Sequence, residues 1–240
     1  MCGRFRLARK KEILETEFGT EVPDDDLDWV PRYNIAPGQD IAVVRQDKEQ
    51  PMRELSQMRW GLIPSWTSDP SVGYKMINAR SETVAKAASF SEPLRLRRCL
   101  IPADGFYEWK REGKAKLPFC FTLADDSVFA FAGIWERWKN PQGQWVKSCS
   151  ILTTTPNELV RDIHDRMPVI LARDTYDQWL DPGFTKVTDL QPLLIPYAGD
   201  AMRRYRVSQR VNQVKNDDAE CVAEIKAAQL SFDDAGLNSG

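Results

Sequence analysis

Residues 119–134 read Phe-Cys-Phe-Thr-Leu-Ala-Asp-Asp-Ser-Val-Phe-Ala-Phe-Ala-Gly-Ile, two apolar runs separated by a short polar break. Aromatic and β-branched residues occur in both runs, and they are typical of strands on a half-buried or buried sheet. The small and acidic residues at 124–127 are typical of a turn. The stretch therefore predicts a β-hairpin made of strands 119–123 and 128–134.

Short strands and turns alternate through much of the remaining chain. Clusters of apolar and β-branched residues predict further strands at 41–45, 58–62, 99–103, 106–110, 146–154 and 205–208. Helical periodicity predicts helices at 10–18, 81–88, 175–180, 189–195 and 219–227, and Gly19 stands where it would end the first of them. We expect an α+β fold with a large, mostly antiparallel sheet.

The clearest helix start in the sequence follows the strand predicted at 146–154. Thr155 is a good N-cap, Pro156 suits the first helical position, and Glu158 stands three residues after the cap. This pattern predicts a short helix that carries His164 near its C-terminal end. The chain must leave helical geometry before Pro168, because a residue that precedes proline disfavours the α conformation.

The composition indicates one packed domain. The 240 residues are 42% hydrophobic and include eight Trp, which is enough apolar surface for a single core. No repeat or linker divides the chain, so we expect a domain at 2–230 and a frayed tail at 231–240. The 33 Lys and Arg residues nearly balance the 35 Asp and Glu residues, and the net charge of -2 argues against a protein that coats nucleic acid with its whole surface. A local basic groove is compatible with it.

The sequence lacks several motifs that are typical of particular classes of protein, and their absence excludes some functions. Without a signal peptide or a membrane-spanning run, we expect a soluble, cytoplasmic monomer. The five cysteines form no CxxC pair, which is typical of reduced thiols rather than a disulfide framework. One histidine is too few for a His-rich metal site, and the sequence has no Walker A, GxGxxG or GxSxG motif. We therefore expect chemistry that uses neither a metal nor a cofactor.

Cys2 is a candidate for covalent chemistry, because methionine aminopeptidases remove Met1 before a small residue and expose the Cys2 α-amine. An α-amine has a pKa of about 7.7–8.0, against about 10.4 for lysine, so a useful fraction is nucleophilic near neutrality. The amine can condense with an aldehyde to an imine, and the neighbouring thiol can then close a five-membered thiazolidine. A cysteine also stands second by chance in some proteins, so this feature alone leaves the function open.

Four further residues have two readings each. Glu108, flanked by aromatic residues, is either a buried acid with a raised pKa that suits acid–base catalysis or an ordinary solvent-facing strand residue. His164 has an ordinary pKa near neutrality, yet a lone histidine is more often structural. Asn78 suits a turn as well as a catalytic hydrogen bond. Trp66, in a polar loop, either stacks on a base, worth about 1–3 kcal/mol, or folds back onto the core.

Seven short blocks stand in order along the chain. They are MCGRF at 1–5, RYNIAPG at 32–38, WGLIP at 60–64, NARSET at 78–83, GFYEW at 105–109, HDRMP at 164–168 and VNQVKN at 211–216. The first six together resemble the SOS response-associated peptidase (SRAP) family, and the seventh resembles its closing block. One departure is visible, since some members have two adjacent tryptophans where this chain has Trp66 followed by Thr67.

The resemblance implies a single α+β domain with a bent, barrel-like sheet that crosslinks to abasic sites in single-stranded DNA, including single-strand/double-strand junctions. Cys2 would be the nucleophile and Glu108 the acid–base group in sugar ring opening. His164 would shuttle protons and Asn78 would position the reacting centre. The peptidase label would then describe self-removal of Met1. The implied DNA-binding residues are Arg4, Pro37, Trp66, Arg80 and Arg166.

Two other classes of function fit part of the sequence. An N-terminal-nucleophile peptidase or amidohydrolase would use the Cys2 thiol on an amide, with its own amine or His164 as the base. That reading leaves Trp66, Arg80 and Arg166 unexplained. A noncatalytic binder of single strands would keep all of its activity in a Cys2→Ser variant.

Overall fold

The computed structural model describes residues 2–21, 29–46 and 52–225 as a mixed α+β single domain dominated by β-sheet. Its strands are β1 Phe5–Leu7, β2 Thr20–Glu21, β3 Arg32–Ile35, β4 Asp40–Gln46, β5 Arg53–Trp60, β6 Asn78–Arg80, β7 Arg98–Ala103, β8 Gly105–Glu112, β9 Ala115–Leu123, β10 Phe129–Lys139, β11 Trp145–Thr154, β12 Met167–Pro168, β13 Ile170–Leu171 and β14 Met202–Arg206. Its helices are α1 Lys11–Phe18, α2 Ser91–Leu96, α3 Tyr176–Leu180 and α4 Val187–Leu190, with short 3-10 turns between elements.

Five strands close into a barrel. Antiparallel pairs join β11 to β10, β10 to β7, β7 to β4 and β4 to β5. The circle closes where β5 runs parallel to β11, with Arg59 opposite Ser148 and Trp60 opposite Cys149. Closure leaves these strands without a free edge along the closed part. The bent, barrel-like sheet implied by the resemblance is confirmed.

A second sheet of five antiparallel strands has the order β14-β9-β8-β1-β3. Its central strands pack on the barrel through aromatic rings. Phe5 of β1 meets Trp60 of the barrel edge to face, with ring centres 5.2 Å apart, and Phe106 of β8 approaches Phe131 of β10 at 6.2 Å. Such pairs stabilise a core beyond the area they bury. The packing holds the N-terminal strand and β8 against the barrel wall.

The hairpin predicted from residues 119–134 is wrong, although both of its strands exist. β9 pairs with β8 and β14 in the second sheet, whereas β10 pairs with β7, β11 and β13 around the barrel. The residues between them carry the chain from one sheet to the other, and Asp126 adopts a positive φ of 57° there. Both strands bury most of their side chains, and strands buried on both faces carry no local signal for their partners.

Two predicted helices are also wrong. Residues 81–88 form successive turns, and the regular helix begins only at Ser91. Residues 158–163 form turns as well, and the side chain of Asn157, not Thr155, caps them by accepting from the amides of Leu159 and Val160. Asn157 is held in this place because its Nδ2 donates to the carbonyl of Tyr197. Tertiary contacts have replaced the local capping pattern here.

Other elements follow the sequence more closely. The predicted first helix is confirmed as α1, which ends at Gly19 in the left-handed conformation with φ 59°. The strand predicted at 58–62 ends at Trp60, because Gly61 has φ 131° and packs against the backbone of Gly73. The helix predicted at 189–195 is shared between α4 and a 3-10 turn, and that at 219–227 is a 3-10 turn at Ala219–Val222 as far as the structure describes it. The tail at 231–240 and Met1 lie outside the described residues.

In the described part of the chain, no helix is long and apolar enough to cross a membrane. All five cysteines are free and buried.

Candidate active site

Cys2 lies where the two sheets meet. β1 pairs with β8, and the amide of Tyr107 donates to the carbonyl of Arg4, which continues that pairing toward the N-terminus. Asn78 begins β6, which runs parallel to β11 of the barrel. Its Nδ2 donates to the carbonyl of Cys2 at 2.8 Å. Cys2 is fully buried, so its backbone is held from both sides before any substrate binds.

Glu108 is an acid enclosed by protein. It lies on β8 and is only 3% exposed. Burial disfavours its charged form and raises its pKa to about 8. Near neutrality a large fraction of the side chain is therefore protonated, which suits a general acid and, after proton loss, a general base.

His164 faces Glu108. Its Nε2 lies 3.9 Å from Glu108 Oε2, and its Nδ1 accepts a hydrogen bond from the backbone amide of Arg166 at 3.0 Å. The Arg166 bond assigns the proton of neutral His164 to Nε2, the nitrogen that faces Glu108. Burial lowers the pKa of His164, although the carboxylate of Asp165, 3.0 Å from Nδ1, opposes that change. At 3.9 Å the carboxyl and the imidazole lie outside direct hydrogen-bond reach, about 2.6–3.2 Å, so a proton can pass between them through one water or after they move closer.

The thiol of Cys2 belongs to the same cluster. Burial raises its pKa, and the negative charge of Glu108 raises it further. The thiol is therefore neutral at physiological pH and needs a base to accept its proton when it reacts. Glu108 is electrostatically coupled to this thiol and lies 3.9 Å from His164, a gap that one water or a small movement can bridge for proton exchange.

A pocket of about 450 Å³ opens beside the cluster. Glu108 and His164 line it together with three cations, which are Arg4, Arg111 and Lys116. Trp109 and Asn212 complete the wall, and Trp109 Nε1 donates to Asn212 Oδ1 at 2.6 Å. Because Glu108 is the one acid among the lining residues, the pocket attracts anions.

Arg4 is fixed on one side of this pocket. Its Nη1 donates to Asn34 Oδ1 at 2.7 Å and to the carbonyl of Val211 at 2.8 Å, and its guanidinium lies 5.7 Å from the ring centre of Trp109. Asn34 is itself fully buried and donates to the carbonyl of Asn216. The segment after β14 therefore holds Arg4 in one orientation.

Arg166 and Arg80 lie in different surroundings. Arg166 is 9% exposed, makes a two-point ion pair with Glu82 at 2.7 and 3.0 Å, and donates to the carbonyl of Thr153 at 2.6 Å. Arg80 is exposed on β6, next to the same Thr153 of β11. An approaching phosphate would meet Arg80 directly and would have to share Arg166 with Glu82.

Trp66 and Pro37 lie on neighbouring loops. Trp66 is 67% exposed, in a loop pinned to the barrel because Trp138 Nε1 donates to the carbonyl of Thr67 at 2.8 Å. Pro37 is in the turn after β3, where Gly38 lies against the ring of Tyr74 from the Trp66 loop.

The structure thus gathers Cys2, Asn78, Glu108 and His164 into one cluster, with Arg4 at the adjoining pocket. Sequence reasoning missed Trp109, Arg111, Lys116 and Asn212. A usable signal for two of them was present, since Arg111 and Lys116 are placed symmetrically about the Gly113 turn and a hairpin there makes them neighbours. Across residues 2–21, 29–46 and 52–225, no group of three or more His, Cys, Asp or Glu side chains is arranged to hold a metal ion.

Comparison with known proteins shows what this architecture resembles. The sequence profile of the family described as "SOS response associated peptidase (SRAP)" matches residues 1–214. Abasic site processing protein YoaM of Bacillus subtilis (strain 168) is 46% identical over 221 residues, covering 92% of this chain and 96% of YoaM. Abasic site processing protein HMCES of Gallus gallus is 34% identical over 269 residues, covering 94% of this chain and 78% of HMCES.

A solved structure has the same fold. The crystal structure of a protein from Bacteroides thetaiotaomicron superposes with a TM-score of 0.85 at 26% sequence identity, covering 94% of this chain and all of the other.

Proposed function

The chain belongs to the SOS response associated peptidase (SRAP) family, and because its relatives are named abasic site processing proteins, we propose that it processes abasic sites in DNA. The observation that carries the proposal is the convergence of Cys2, Asn78, Glu108 and His164 in one cluster beside a cationic pocket. A DNA strand with an abasic site provides an aldehyde, with which the Cys2 amine can react, and a chain of phosphates, which the cationic pocket attracts.

The proposed reaction is covalent capture. Loss of Met1, by self-cleavage or by an aminopeptidase, frees the Cys2 α-amine. The amine attacks the aldehyde carbon of the ring-opened deoxyribose, and the resulting carbinolamine loses water to give an imine. The thiol sulfur then bonds to the imine carbon while its proton passes to the nitrogen. The product is a thiazolidine that joins Cys2 to DNA, and one water is released overall.

Glu108 and His164 supply the proton transfers. An abasic sugar rests mainly as a closed hemiacetal, so ring opening requires one proton to leave the hydroxyl and another to reach the ring oxygen. Glu108, with a pKa of about 8, is populated in both forms near neutrality. His164, 3.9 Å away in the free protein, exchanges protons with it once the two groups move into hydrogen-bond reach on the substrate. When the Cys2 thiol, whose pKa burial raises, closes the ring, its proton passes through this pair to the ring nitrogen.

Asn78 is the positioning residue. Its bond to the Cys2 carbonyl fixes the backbone that carries both the amine and the thiol. Holding the two reacting groups in one geometry lowers the entropic contribution to the activation free energy of the reaction.

The strand itself binds by charge and stacking. Arg4 and Arg80 contact phosphates, Arg166 contributes beside Glu82, and Trp66 with Pro37 forms an aromatic and apolar rim on which an unpaired base or the end of a duplex rests. A base stacked on an aromatic side chain contributes about 1–3 kcal/mol. Single-stranded DNA and its junctions with duplex are therefore the proposed substrates, because unpaired bases and duplex ends expose a face for stacking and the interior of a continuous duplex does not.

The deciding experiment separates the amine from the thiol. Mature wild-type protein is mixed with a single-stranded oligonucleotide carrying one abasic site and analysed by intact mass. We expect a heat-stable adduct whose mass is the sum of the two molecules less one water. Cys2→Ser and Cys2→Ala keep the amine, so they are expected to give an adduct only when borohydride traps the imine. Cys99→Ser is the matched control, since Cys99 lies on β7 and its electrostatic neighbours are Cys149 and Arg45 rather than members of the cluster, and it should behave as wild type.

A heat-stable adduct in Cys2→Ala without borohydride would refute the thiazolidine. The amidohydrolase alternative is tested in parallel by incubating the same mature protein with glutamine and with short peptides, where release of ammonia or cleavage without any DNA adduct would favour it.

A further inference from the structure

The pocket beside Glu108 contains two cations that the chemistry above does not use. Arg111 and Lys116 are both exposed and lie directly opposite each other on β8 and β9. Like charges facing each other across a strand pair destabilise a hairpin. Folding stability therefore does not account for the pair.

The cations of this hairpin differ in their surroundings. Lys110, next to Arg111 on β8, does not line the pocket and is neutralised by Glu112 at 2.7 Å. Among the described residues, no ion pair links Arg111 or Lys116 to a carboxylate, and both point into the pocket. Arg4 adds a third cation there, and its bonds to Asn34 and Val211 hold it close to Trp109.

The remaining lining does not cancel this charge. Glu108 is the single carboxyl of the pocket, and its raised pKa leaves it substantially protonated near neutrality. The volume of about 450 Å³ falls in the range of pockets that hold small molecules or single nucleotide units. The pocket is thus a preformed site for an anion of that size.

We propose that Arg111 and Lys116 form a phosphate subsite that binds a phosphodiester next to the reacting abasic sugar. The inference rests on the proposed function and identifies how the substrate is seated. An abasic nucleotide has no base, so its phosphates are the strongest handles left on it. When the aldehyde carbon of the abasic sugar reaches Cys2, the phosphates on either side of that sugar lie near Glu108. Arg111 is on the same strand as Glu108 and lines the same pocket.

The first test removes the two charges without adding bulk. The double variant Arg111→Gln/Lys116→Gln loses a repulsive pair, so its thermal stability should equal or exceed that of wild type. Binding is measured with single-stranded DNA carrying tetrahydrofuran, an abasic analogue that cannot crosslink. We expect the dissociation constant to rise on the order of tenfold and the salt slope to fall by about 1.4, two phosphate contacts at about 0.7 each. Lys110→Gln, which removes a neighbouring cation of β8 that does not line the pocket, is the matched control and should change neither quantity appreciably.

The second test locates the phosphate. Oligonucleotides carry one uncharged methylphosphonate at successive positions around the tetrahydrofuran. Wild type should lose affinity at a phosphate flanking the analogue, and the double variant should lose nothing further at that same position. Equal methylphosphonate losses in both proteins, or a double variant that binds like Lys110→Gln, would overturn the subsite.

Crosslinking over a range of abasic DNA concentrations distinguishes this inference from the proposed function. The double variant should form the same adduct, but the DNA concentration that gives half of its maximal single-turnover rate should rise on the order of tenfold, because the missing charges bind substrate. If wild type itself forms no adduct, the proposed function fails whatever the binding data show. If wild type forms the adduct and the double variant binds normally, only the subsite fails.

Discussion

Glu82 and Glu108 both contact segment 164–166, but their surroundings shift their pKa values in opposite directions. Glu82 pairs at two points with Arg166, and this hydrogen bonding lowers its pKa. Glu108 faces His164 and is deeply buried, and burial raises its pKa to about 8. At one end of the segment Glu82 therefore stays ionised near neutral pH. At the other end Glu108 can gain or lose a proton there.

The difference separates a structural role from a chemical one. The Glu82 pair and the Thr153 carbonyl fix Arg166, and the amide of Arg166 in turn fixes the tautomer of His164. Glu108 is left as the group whose protonation can change near neutrality. Four predictions test this division.

The largest effect is expected for Glu108→Gln. The amide retains the shape of the side chain but cannot give up or accept a proton in the same way. Crosslinking under single-turnover conditions should slow by on the order of 10² to 10⁴, the range for loss of a positioned acid or base. Binding of tetrahydrofuran DNA should be unchanged. Glu82→Gln is the matched control, and a comparable slowing in that variant would erase the distinction between the two acids.

The second prediction concerns how stability depends on pH. The pKa of Glu108 is higher in the folded protein than its ordinary value of 4.5, so the folded state binds more protons between the two values. The free energy of unfolding contributed by this group should therefore fall as pH rises from about 4.5 to 8, by up to about 1.4 kcal/mol per pH unit. Glu108→Gln should lack this decline.

Glu82 has the opposite sign. Its pKa is lowered on folding, so its contribution is present above its ordinary value and is lost as pH falls below about 4.5. Urea unfolding of wild type and Glu108→Gln at several pH values measures both slopes. Parallel curves for the two proteins between pH 5 and 8 would show that Glu108 does not titrate as the structure indicates.

The third prediction is for Arg166→Met. The variant loses hydrogen bonds from a mostly buried guanidinium to Glu82 and Thr153, and bonds to charged groups contribute about 1.5–3 kcal/mol each before compensation. We expect the free energy of unfolding to drop by about 2–3 kcal/mol. The same protein, tested below its unfolding transition, also reports on phosphate binding, since a lower salt slope would show that Arg166 meets DNA directly. Unchanged stability would contradict its bracing role.

The smallest effect is expected for Glu82→Gln. The Glu82 side chain is 46% exposed, and solvent screens such a pair, so its loss should cost about 1 kcal/mol or less. The crosslinking rate at saturating DNA should stay within twofold of wild type. A stability loss as large as that of Arg166→Met would mean that the ion pair, and not the bond to Thr153, holds segment 164–166.

Comparison of individual elements shows which parts of the fold could be predicted from the sequence. The strand at β11 and the end of α1 at Gly19 were predictable, because the patterns involved lie within one element. The partner of β9 was not, since β9 and β10 are adjacent in sequence but belong to different sheets. The helix predicted before His164 failed for the same reason, because Asn157 is anchored by Tyr197, forty residues away.

The candidate site also has features that could be predicted from the local sequence and features that depend on distant segments. The sequence by itself determined the family, through its blocks. It also singled out Cys2 as the proposed reagent, because a cysteine that follows Met1 presents both an amine and a thiol once Met1 is lost. It also singled out Glu108 and His164 as candidates. The tertiary structure alone decided that Glu108 is buried with a raised pKa and that Arg166 is paired with Glu82. It also decided that Arg111 and Lys116 share a pocket with Glu108 and His164. The physical reason is that residue types are local, whereas burial, charge pairing and cavities depend on which distant segments pack together.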